Sequence, residues 1–506
     1  MPTGGHIKSA SSFLLLLIFL TQVKIRGRRT ASDWEMIEPK SIEAPAGAFH
    51  EARPGTPGQR SDLSLSPALQ CQLSRPAPCS VPSVCGLPCD LTIGPERHSV
   101  VDLGHLTRMA VMALPGVRGS FRQQAEELFA QVWCIVGHHP SQLTATTMMV
   151  FLRNGADEAE CREVLRTRFG EALPVTTFAV QPPCDGAALG VELWALGGPG
   201  VTVKRFGTEL LTVESDGIRW IHCGGICGAP GAAGAYAESL SAFQRTQTRL
   251  SEAGIGFDQV VRTWIYVNQI NEGSEGRQRY QELNRARTDF FHNLQLCAKN
   301  RATWSPATIY PASTGIGTRG THLTMSCLAL DSQRPDVFLM PIENPQQTPA
   351  CDYHASYSPQ APKFSRAMAV VQGHFVATLV SGTASIVNAQ TCHPGDIVRQ
   401  TEQTIENIKQ LIAPENFARH GLPGAGATLQ DIAKLRVYVK HATDYEQARN
   451  VCEGLLPRVP ALYLEADVCR SDLLVEIEAV AFSPFNENGT TPKVSQRAVN
   501  GSKRRG

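Results

Sequence analysis

The sequence predicts an α+β fold in which one pattern of elements occurs three times in tandem. A long amphipathic helix, a strand, a second helix and a closing strand recur in that order between residues 100 and 485. Strand-rich segments such as 218–222 and 374–380 precede the long helices. A β-β-α-β-α-β unit buries both helices only when they pack on one face of its sheet. Three such units predict three sheets around a shared centre, a pseudo-trimer formed by a single chain.

Each module is predicted from the alternation of helical and strand periodicity along the chain. The first module, 100–200, has a helix at 121–136, a strand at 146–152, a helix at 156–169 and a closing strand at 188–196. The second, 201–335, has the same elements at 236–253, 260–268, 277–293 and 322–330. The third, 336–485, has them at 397–412, 432–440, 445–456 and 473–482.

The helices of the third module carry clear local signals. Asp396 precedes the long helix as an N-cap, and Asp444 precedes the later helix in the same way. Four residues at helical spacing give the long helix one packing face: Thr401, Ile405, Ile408 and Ile412. The sequence therefore predicts that this helix packs on its sheet through that face.

The closing strand of the third module alternates apolar and acidic residues. Val475, Ile477 and Ala479 fall on one face, and Glu476 and Glu478 fall on the other. This period of two predicts a half-buried strand, whose acidic face lies either in water or along a cleft. A carboxyl group in a dry cleft has a raised pKa and can act as a general acid.

The segments outside the modules lack periodicity. Residues 1–99 are predicted to be a disordered leader and a Pro/Gly/Ser-rich linker, and 486–506 a basic disordered tail. The apolar run at 13–20 resembles either the core of a signal peptide or an unstructured leader, and it is too short to span a bilayer. Cys85 and Cys89 have the spacing of half a zinc site, but no matching ligand pair lies nearby, so no metal is predicted.

Composition narrows the class of protein. The chain has 506 residues, with 47 Lys and Arg against 46 Asp and Glu, and this balance argues against a nucleic-acid partner. Its 15 cysteines are odd in number and scattered, which is typical of reduced thiols in the cytoplasm. No dinucleotide or P-loop fingerprint is present. We therefore expect a cytoplasmic protein without a cofactor, a nucleic-acid partner or a membrane partner.

The third module resembles the RidA/YjgF-type fold, also called chorismate-mutase-like, whose closing strand commonly ends in a sequence such as Val475-Glu-Ile-Glu478. The resemblance extends over 101–482 and is weakest in the first module. Members of that family are homotrimers with clefts between subunits, which implies a fused trimer that is a monomer in solution. Imine- and enamine-hydrolysing members carry a Pro-x-Arg sequence before the closing strand. The corresponding residues here, Pro460-Ala-Leu462, contain no Arg, which argues against that activity.

The second and third modules resemble a narrower group, the chorismatases. The resemblance rests on five blocks in order: YPASTGIG at 310–317, FSRA at 364–367, VSGTASI at 380–386, HPGD at 393–396 and ADVCRSDLLVEIE at 466–478. It implies a cofactor-free enzyme that removes pyruvate from chorismate and leaves 3-hydroxybenzoate or a dihydroxycyclohexadiene carboxylate. An imine or enamine deaminase and a non-catalytic ligand-binding protein of the same fold are the alternatives. The first module lacks these blocks, so we expect it to shape a cleft wall without supplying chemistry.

The resemblance also implies roles for residues near the closing strand. The catalytic Glu of the group stands seven positions after a Cys, which corresponds to Glu476 after Cys469, with Glu478 as the rival acid. The Cys469 thiol, beside Arg470, either has a lowered pKa and takes part or is a small buried side chain. Gly382 together with Cys469 is similar to the type that forms 3-hydroxybenzoate.

Chorismate is a dicarboxylate, so its binding requires cations or hydroxyl donors. Arg366 offers a bidentate guanidinium and Tyr357 a neutral donor, although a surface salt bridge also explains Arg366. Arg436 and Tyr463 are further candidates, and Arg436 could instead lie on the outer face of its sheet. Tyr310 precedes a Ser-Thr-Gly turn that either meets an anion or is purely structural.

Overall fold

The computed structural model describes residues 97–486, except 230, 231, 275, 298, 307, 457 and 458. The predicted apolar leader, the Cys85/Cys89 pair and the predicted basic tail lie outside these residues. The described chain is mixed α+β, as predicted, with three large mixed sheets. Among its helices, none is both long enough and apolar enough to cross a bilayer.

The first sheet is built from five strands in the order β1-β2-β5-β3-β4. Their bounds are β1 His98–Asp102, β2 Thr107–Ala113, β3 Thr144–Leu152, β4 Val175–Val180 and β5 Leu189–Gly197. Its helices are α1 Phe121–Gly137 and α2 Glu158–Phe169. Strand β1 pairs with β2 from His98 onward, so residues 98 and 99, within the segment 1–99 that was expected to be disordered, belong to a sheet.

The second sheet has six strands in the order β12-β9-β13-β8-β7-β6. The early ones are β6 Thr202–Phe206, β7 Leu210–Ser215, β8 Ile218–Cys227 and β9 Val260–Asn268. A small ribbon follows, β10 Gly273–Ser274 with β11 Arg277–Gln278, and then β12 Ala312–Thr318 and β13 Thr324–Ser332. Helices α3 Gly234–Glu252 and α4 Arg279–Phe291 belong to this sheet.

The third sheet has six strands in the order β14-β15-β16-β21-β19-β20. They are β14 Val337–Ile342, β15 Ala367–Gln372, β16 Phe375–Ala384, β19 Ile432–Val439, β20 Ala461–Glu465 and β21 Val475–Pro484. A two-residue ribbon, β17 Ile386–Val387 with β18 Gln390–Thr391, lies beside them. The helices are α5 Ile397–Ile412, α6 Pro414–Arg419 and α7 Tyr445–Leu455.

The predicted bounds of α5 are confirmed, and so is its N-cap. The Asp396 side chain accepts a hydrogen bond of 3.0 Å from the backbone N–H of Arg399. The predicted packing face is buried in full: Thr401, Ile405, Ile408 and Ile412. Asp444 directly precedes α7, as predicted, but its side chain makes no cap hydrogen bond. Asp444 ends a short 3₁₀ turn in helical conformation, whereas a capping residue needs an extended backbone.

Strand β21 is buried on both faces, and not on one face as its sequence pattern predicted. Val475, Ile477 and Ala479 pack in a core with α5 and α7. On the other face, Val480 and Phe482 join a core that draws residues from all three sheets, including Leu196 of the first and Trp220 of the second. The sheet faces without helices therefore meet in the interior, and β21 directs its two glutamates there.

Candidate active site

A cleft of about 330 Å³ opens between the second and third sheets. The described residues that line it come from β11, α4, β12, the 353–366 loop, β16, β17, the 469–473 segment and β21. Five residues singled out from the sequence lie together on its wall: Tyr357, Arg366, Gly382, Cys469 and Glu476. The first sheet supplies none of the described lining residues, so the expectation that the first module shapes a cleft wall is wrong.

Glu476 lies at the inner end of the cleft on β21 and is 5% exposed. Burial, together with the negative charge of Glu478, raises the pKa of this carboxyl to about 8, although Arg262 and Arg366 oppose the shift. A carboxylic acid with such a pKa is mostly protonated at neutral pH. Glu476 can therefore deliver a proton to a group bound in the cleft.

A bulge in β16 makes room for the Glu476 carboxyl. The register between β16 and β21 shifts between Val380 and Thr383, and Gly382 lies in the shifted segment. A Cβ atom at Gly382 would overlap Glu476 Oε1 and lie 2.8 Å from its Cδ. The Gly382 N–H donates to Thr314 Oγ1 at 3.1 Å, which ties the bulge to β12 of the second sheet. Glycine is required here because the carboxyl occupies the place of a side chain.

Glu478, two residues further along the same face, has a different environment. It accepts hydrogen bonds from Arg262 Nη2 at 3.0 Å, Trp264 Nε1 at 3.0 Å and Thr314 Oγ1 at 2.6 Å. Burial alone would raise its pKa, but Arg436 and the cations near it outweigh burial and hold the pKa below its ordinary value. Glu478 is therefore an anion at neutral pH, and its charge acts on the neighbouring Glu476.

The Glu478 carboxylate belongs to a buried ionic network that reaches the first sheet. Arg436 Nη1 lies 3.2 Å from Glu478 Oε1, and its Nη2 donates at 3.0 Å to Glu192 Oε1 on β5. Lys434 Nζ donates to the same Glu192 oxygen at 2.8 Å and lies 3.6 Å from Glu478 Oε1. Arg436 was predicted to bind substrate, but it is fully buried in this network and does not line the cleft. The cations of this network, which lie outside the cleft, keep Glu478 ionised.

Two buried guanidinium groups face the cleft. Arg366 donates from Nη2 to Thr348 O at 3.0 Å and to the Tyr353 hydroxyl at 2.6 Å. Its Nε has no hydrogen-bond partner among the described residues. Arg287 of α4 is 2% exposed, and its Nε and Nη1 likewise lack a partner within the described chain. Both groups can bind a carboxylate, since a buried cation requires a counter-charge.

The outer end of the cleft carries aromatic rings and a further arginine. Tyr357 is 38% exposed, and the Arg470 guanidinium lies 4.7 Å from the centre of its ring and 5.3 Å from that of Tyr353. Arg470 Nη1 also donates to Ala389 O at 2.8 Å. These contacts hold the 353–366 loop against the 469–473 segment and border the entrance.

Cys469 lines the cleft, and of the two alternatives for its thiol the lowered pKa is wrong. Burial and the nearby Glu476 raise the pKa of the thiol to about 12, and the opposing effect of Arg470 is smaller. Arg470 is stacked on Tyr353 and Tyr357. Cys469 is therefore a neutral thiol next to the acid and not a thiolate nucleophile.

Two tyrosines that were predicted to bind substrate lie elsewhere. The Tyr310 ring stacks on Phe291 at 6.2 Å and borders a separate surface depression. Tyr463 packs edge-on against Tyr445 at 5.4 Å and pairs with the Cys452 thiol on the helical side of the third sheet. Both predictions fail because the sequence of a strand or turn does not reveal what its side chains pack against.

Several residues of the cleft were missed from the sequence, among them Tyr353 and two residues of α4. Arg287 and Tyr280 lie on α4 of the second module, whereas the closing strand is in the third. Burial raises the pKa of Tyr280, so its hydroxyl remains a donor. The sequence of α4 is largely polar, and nothing in it distinguishes Arg287 from the other charged residues of the helix.

A protonated carboxyl beside two buried cations, in a cleft between sheets of an α+β fold, defines an enzyme site for a small carboxylate substrate. Residues 197–329 match the family model "Chorismatase FkbO/Hyg5-like, N-terminal", and 357–483 match "Endoribonuclease L-PSP", which confirms a RidA/YjgF-like domain there. A 3-hydroxybenzoate synthase of Streptomyces hygroscopicus is 36% identical over 276 residues, 53% of this chain and 77% of that protein. The chain belongs to the chorismatase family.

Two further comparisons agree with this assignment. A chorismatase of Streptomyces rapamycinicus is 36% identical over 230 residues, which are 45% of this chain and 65% of that protein. The crystal structure of a chorismatase, 23% identical, superposes with a TM-score of 0.54 over 76% of this chain and 99% of the other. The second comparison establishes a common fold.

Proposed function

We propose that this enzyme converts chorismate to 3-hydroxybenzoate and pyruvate. The family relationship supports the substrate class, and the cleft supports the reaction type. The two products together contain all the atoms of chorismate, so the conversion consumes neither water nor a redox partner. The observation that carries the mechanism is the protonated Glu476 at the inner end of a cleft with two buried guanidinium groups.

Arg287 and Arg366 bind the two carboxylates of the substrate. Each has at least one buried N–H group without a partner in the described chain, and each therefore gains a hydrogen bond and a counter-charge when a carboxylate enters. The hydroxyl groups of Tyr280 and Tyr353 lie on the same wall and add neutral donors. A dicarboxylate held at both ends presents its enol ether to the acid.

Glu476 acts as the general acid. It protonates the terminal methylene of the enolpyruvyl ether, and the neighbouring ring hydroxyl of the substrate attacks the resulting cation to close a cyclic ketal. Loss of the ring proton beside the ether oxygen then breaks the bond between the ring and the former hydroxyl oxygen, and the aromatic hemiketal that results opens to pyruvate and 3-hydroxybenzoate. The delivered proton becomes part of the pyruvate methyl group. The ring loses one proton as it becomes aromatic, which restores the acid. Glu478 cannot serve in this role because its cationic neighbours keep it ionised.

The product depends on which nucleophile attacks. Attack by water would give the dihydroxycyclohexadiene carboxylate and consume one water molecule, whereas attack within the substrate gives 3-hydroxybenzoate. Gly382 and the neutral thiol of Cys469 border the acid and match the resemblance to the 3-hydroxybenzoate-forming type. They leave the acid close to the substrate and add no charge there.

The three modules, 100–200, 201–335 and 336–485, form a pseudo-trimer in this proposal, and the protein is a monomer. A core shared by all three sheets supports this arrangement. The described cysteines are free thiols, which supports a location in the reducing cytoplasm. Light scattering should give the mass of one chain; a stable homotrimer would refute the arrangement.

The function is tested by adding chorismate to the purified protein and coupling pyruvate release to lactate dehydrogenase. We expect enzyme-dependent pyruvate together with an equal amount of 3-hydroxybenzoate on chromatography. Pyruvate with a dihydrodiol acid would correct the product alone. Pyruvate release at the spontaneous rate would refute the proposal.

A further inference from the structure

An arginine in the interior of the molecule has no ionic partner within residues 97–486 as far as the structure describes them. Arg108 on β2 is 6% exposed, and its Nε and Nη2 lack hydrogen-bond partners among the described residues. Its guanidinium lies 4.6 Å from the centre of the Trp220 ring on β8. A cation–π contact offsets part of the cost of burying a charge, but it leaves the N–H groups unsatisfied. Within the described residues, the guanidinium therefore lacks a counter-charge, and two of its nitrogens lack acceptors.

A histidine beside it also has a ring nitrogen without a partner among the described residues. His222 on β8 is 7% exposed, and its Nε2 has no hydrogen-bond partner in the described part of the chain. Burial and the positive charge of Arg108 lower the pKa of His222 to about 3, so the imidazole is neutral. In the tautomer with its proton on Nε2, His222 adds a neutral donor next to the guanidinium.

Both side chains line a small cavity of about 50 Å³ where the three sheets meet. The first sheet contributes Trp194, the second contributes Trp264 and the third contributes Phe482 to its wall. Its described lining has no residue in common with that of the substrate cleft. The volume suffices for one ion about the size of a water molecule, roughly 30 Å³, and not for a dicarboxylate such as the substrate.

Glu192 also borders this cavity, but its carboxylate is already paired with other side chains. Glu192 accepts hydrogen bonds from Lys434 at 2.8 Å, Arg436 and Trp194 at 2.6 Å. Arg108 forms no salt bridge within the described residues, whereas Glu192 forms two. A buried charge is stable in protein interiors only when it is paired, and a water molecule would accept hydrogen bonds without neutralising Arg108.

We propose that the cavity holds a monovalent anion of chloride size, bound by the Arg108 guanidinium and the His222 Nε2–H. The anion completes the interior where the three sheets meet and is separate from the chemistry in the cleft. Binding to the folded chain alone makes such an ion a stabilising ligand, so stability should depend on its concentration.

Bromide provides the direct test, because its anomalous scattering distinguishes it from water. Crystals of the full chain after prolonged exchange into sodium bromide should show an anomalous peak within hydrogen-bond distance of Arg108 Nη2 and His222 Nε2. Crystals grown in sodium gluconate should show none there. A cavity without anomalous signal in bromide, whether empty or filled with water, would overturn the proposal.

The second test measures thermal unfolding. It does not require bromide to diffuse into the cavity of the folded protein in a crystal. At constant ionic strength, replacing gluconate with bromide should raise Tm by about 2 °C. Arg108→Met, which removes the charge and keeps much of the volume, should abolish this response. Arg162→Met is the matched control, since Arg162 also lies over an aromatic ring, at 4.2 Å from that of Phe178, but is half-exposed. An equal bromide response in Arg108→Met and the unmodified protein would contradict the site.

Discussion

Replacing Glu476 by Gln tests the general acid with little change in shape. The amide keeps the size of the side chain and can still donate a hydrogen bond, but it cannot deliver a proton. Because Glu476 is buried between β16 and β19, a larger change would also disturb packing. The variant therefore separates proton transfer from substrate positioning.

The magnitude follows from the environment of the carboxyl. With a pKa of about 8, Glu476 is protonated in about 90% of molecules at pH 7 and in about 10% at pH 9. The kcat of the unmodified enzyme should therefore be level near neutrality and fall about tenfold for each pH unit above 8. Loss of a general acid lowers kcat by a factor of about 10²–10⁴. The kcat of Glu476→Gln should therefore be lower by that factor, and it should no longer show the decline above pH 8 (the alkaline limb of the profile).

The assay is pyruvate release from chorismate across pH 6 to 10, with the substrate concentration varied at each pH. Glu465→Gln is the matched control, because Glu465 pairs with the exposed Arg319 and lies outside the cleft lining. The Glu465→Gln variant should keep both the kcat and the alkaline limb of the unmodified enzyme. If Glu476→Gln instead raises KM while kcat and the alkaline limb survive, Glu476 holds the substrate and the assignment of the acid is refuted.

Gly382→Ala should lower kcat by about 10²-fold, because the new Cβ displaces the Glu476 carboxyl. Steady-state kinetics measures this change. An unchanged kcat would show that the Glu476 carboxyl can move aside without losing its catalytic position. Arg287→Met should raise KM by about 10²-fold at similar kcat, since it removes one carboxylate partner. Arg285→Met, on the same helix but solvent-exposed, should leave KM unchanged; equal effects would contradict the role of Arg287. Glu478→Gln leaves Arg262 unneutralised and removes the negative neighbour of Glu476, so the alkaline limb should move to lower pH by about one unit. Chemical denaturation should also give a loss of about 3 kcal/mol in the free energy of unfolding; a limb at unchanged pH would refute the coupling.

The elements with strong local signals could be predicted from sequence. Helix α5 has the bounds that its capping residue and apolar face predicted, because both signals lie within the helix itself. The alternation along β21 correctly separated Glu476 and Glu478 from the apolar face. The pattern gave no information that other sheets cover the acidic face, and this cover makes the strand fully buried.

The composition of the site was harder to predict, because it depends on how distant segments meet. Arg436 lies in a strand and faces Glu192, 244 residues earlier in the chain. Arg287 lies in a helix and faces residues near the end of the third sheet. Each pairing is a property of the assembled interior, and a single strand or helix sequence contains no information on it. The opposite pKa directions of Glu476 and Glu478 have the same origin.

The ionic network has a consequence for how the chain is made. Glu192 leaves the ribosome with β5, but Lys434, its partner, follows 242 residues later. At about 5–20 residues per second, the first sheet waits roughly 10–50 s before its buried carboxylate can be neutralised. During that interval the face that carries Glu192 and Trp194 is both apolar and charged, and it cannot close against its final neighbours. Nascent chains stalled before residue 434 should therefore associate with chaperones, although every strand of the first sheet has already been synthesised.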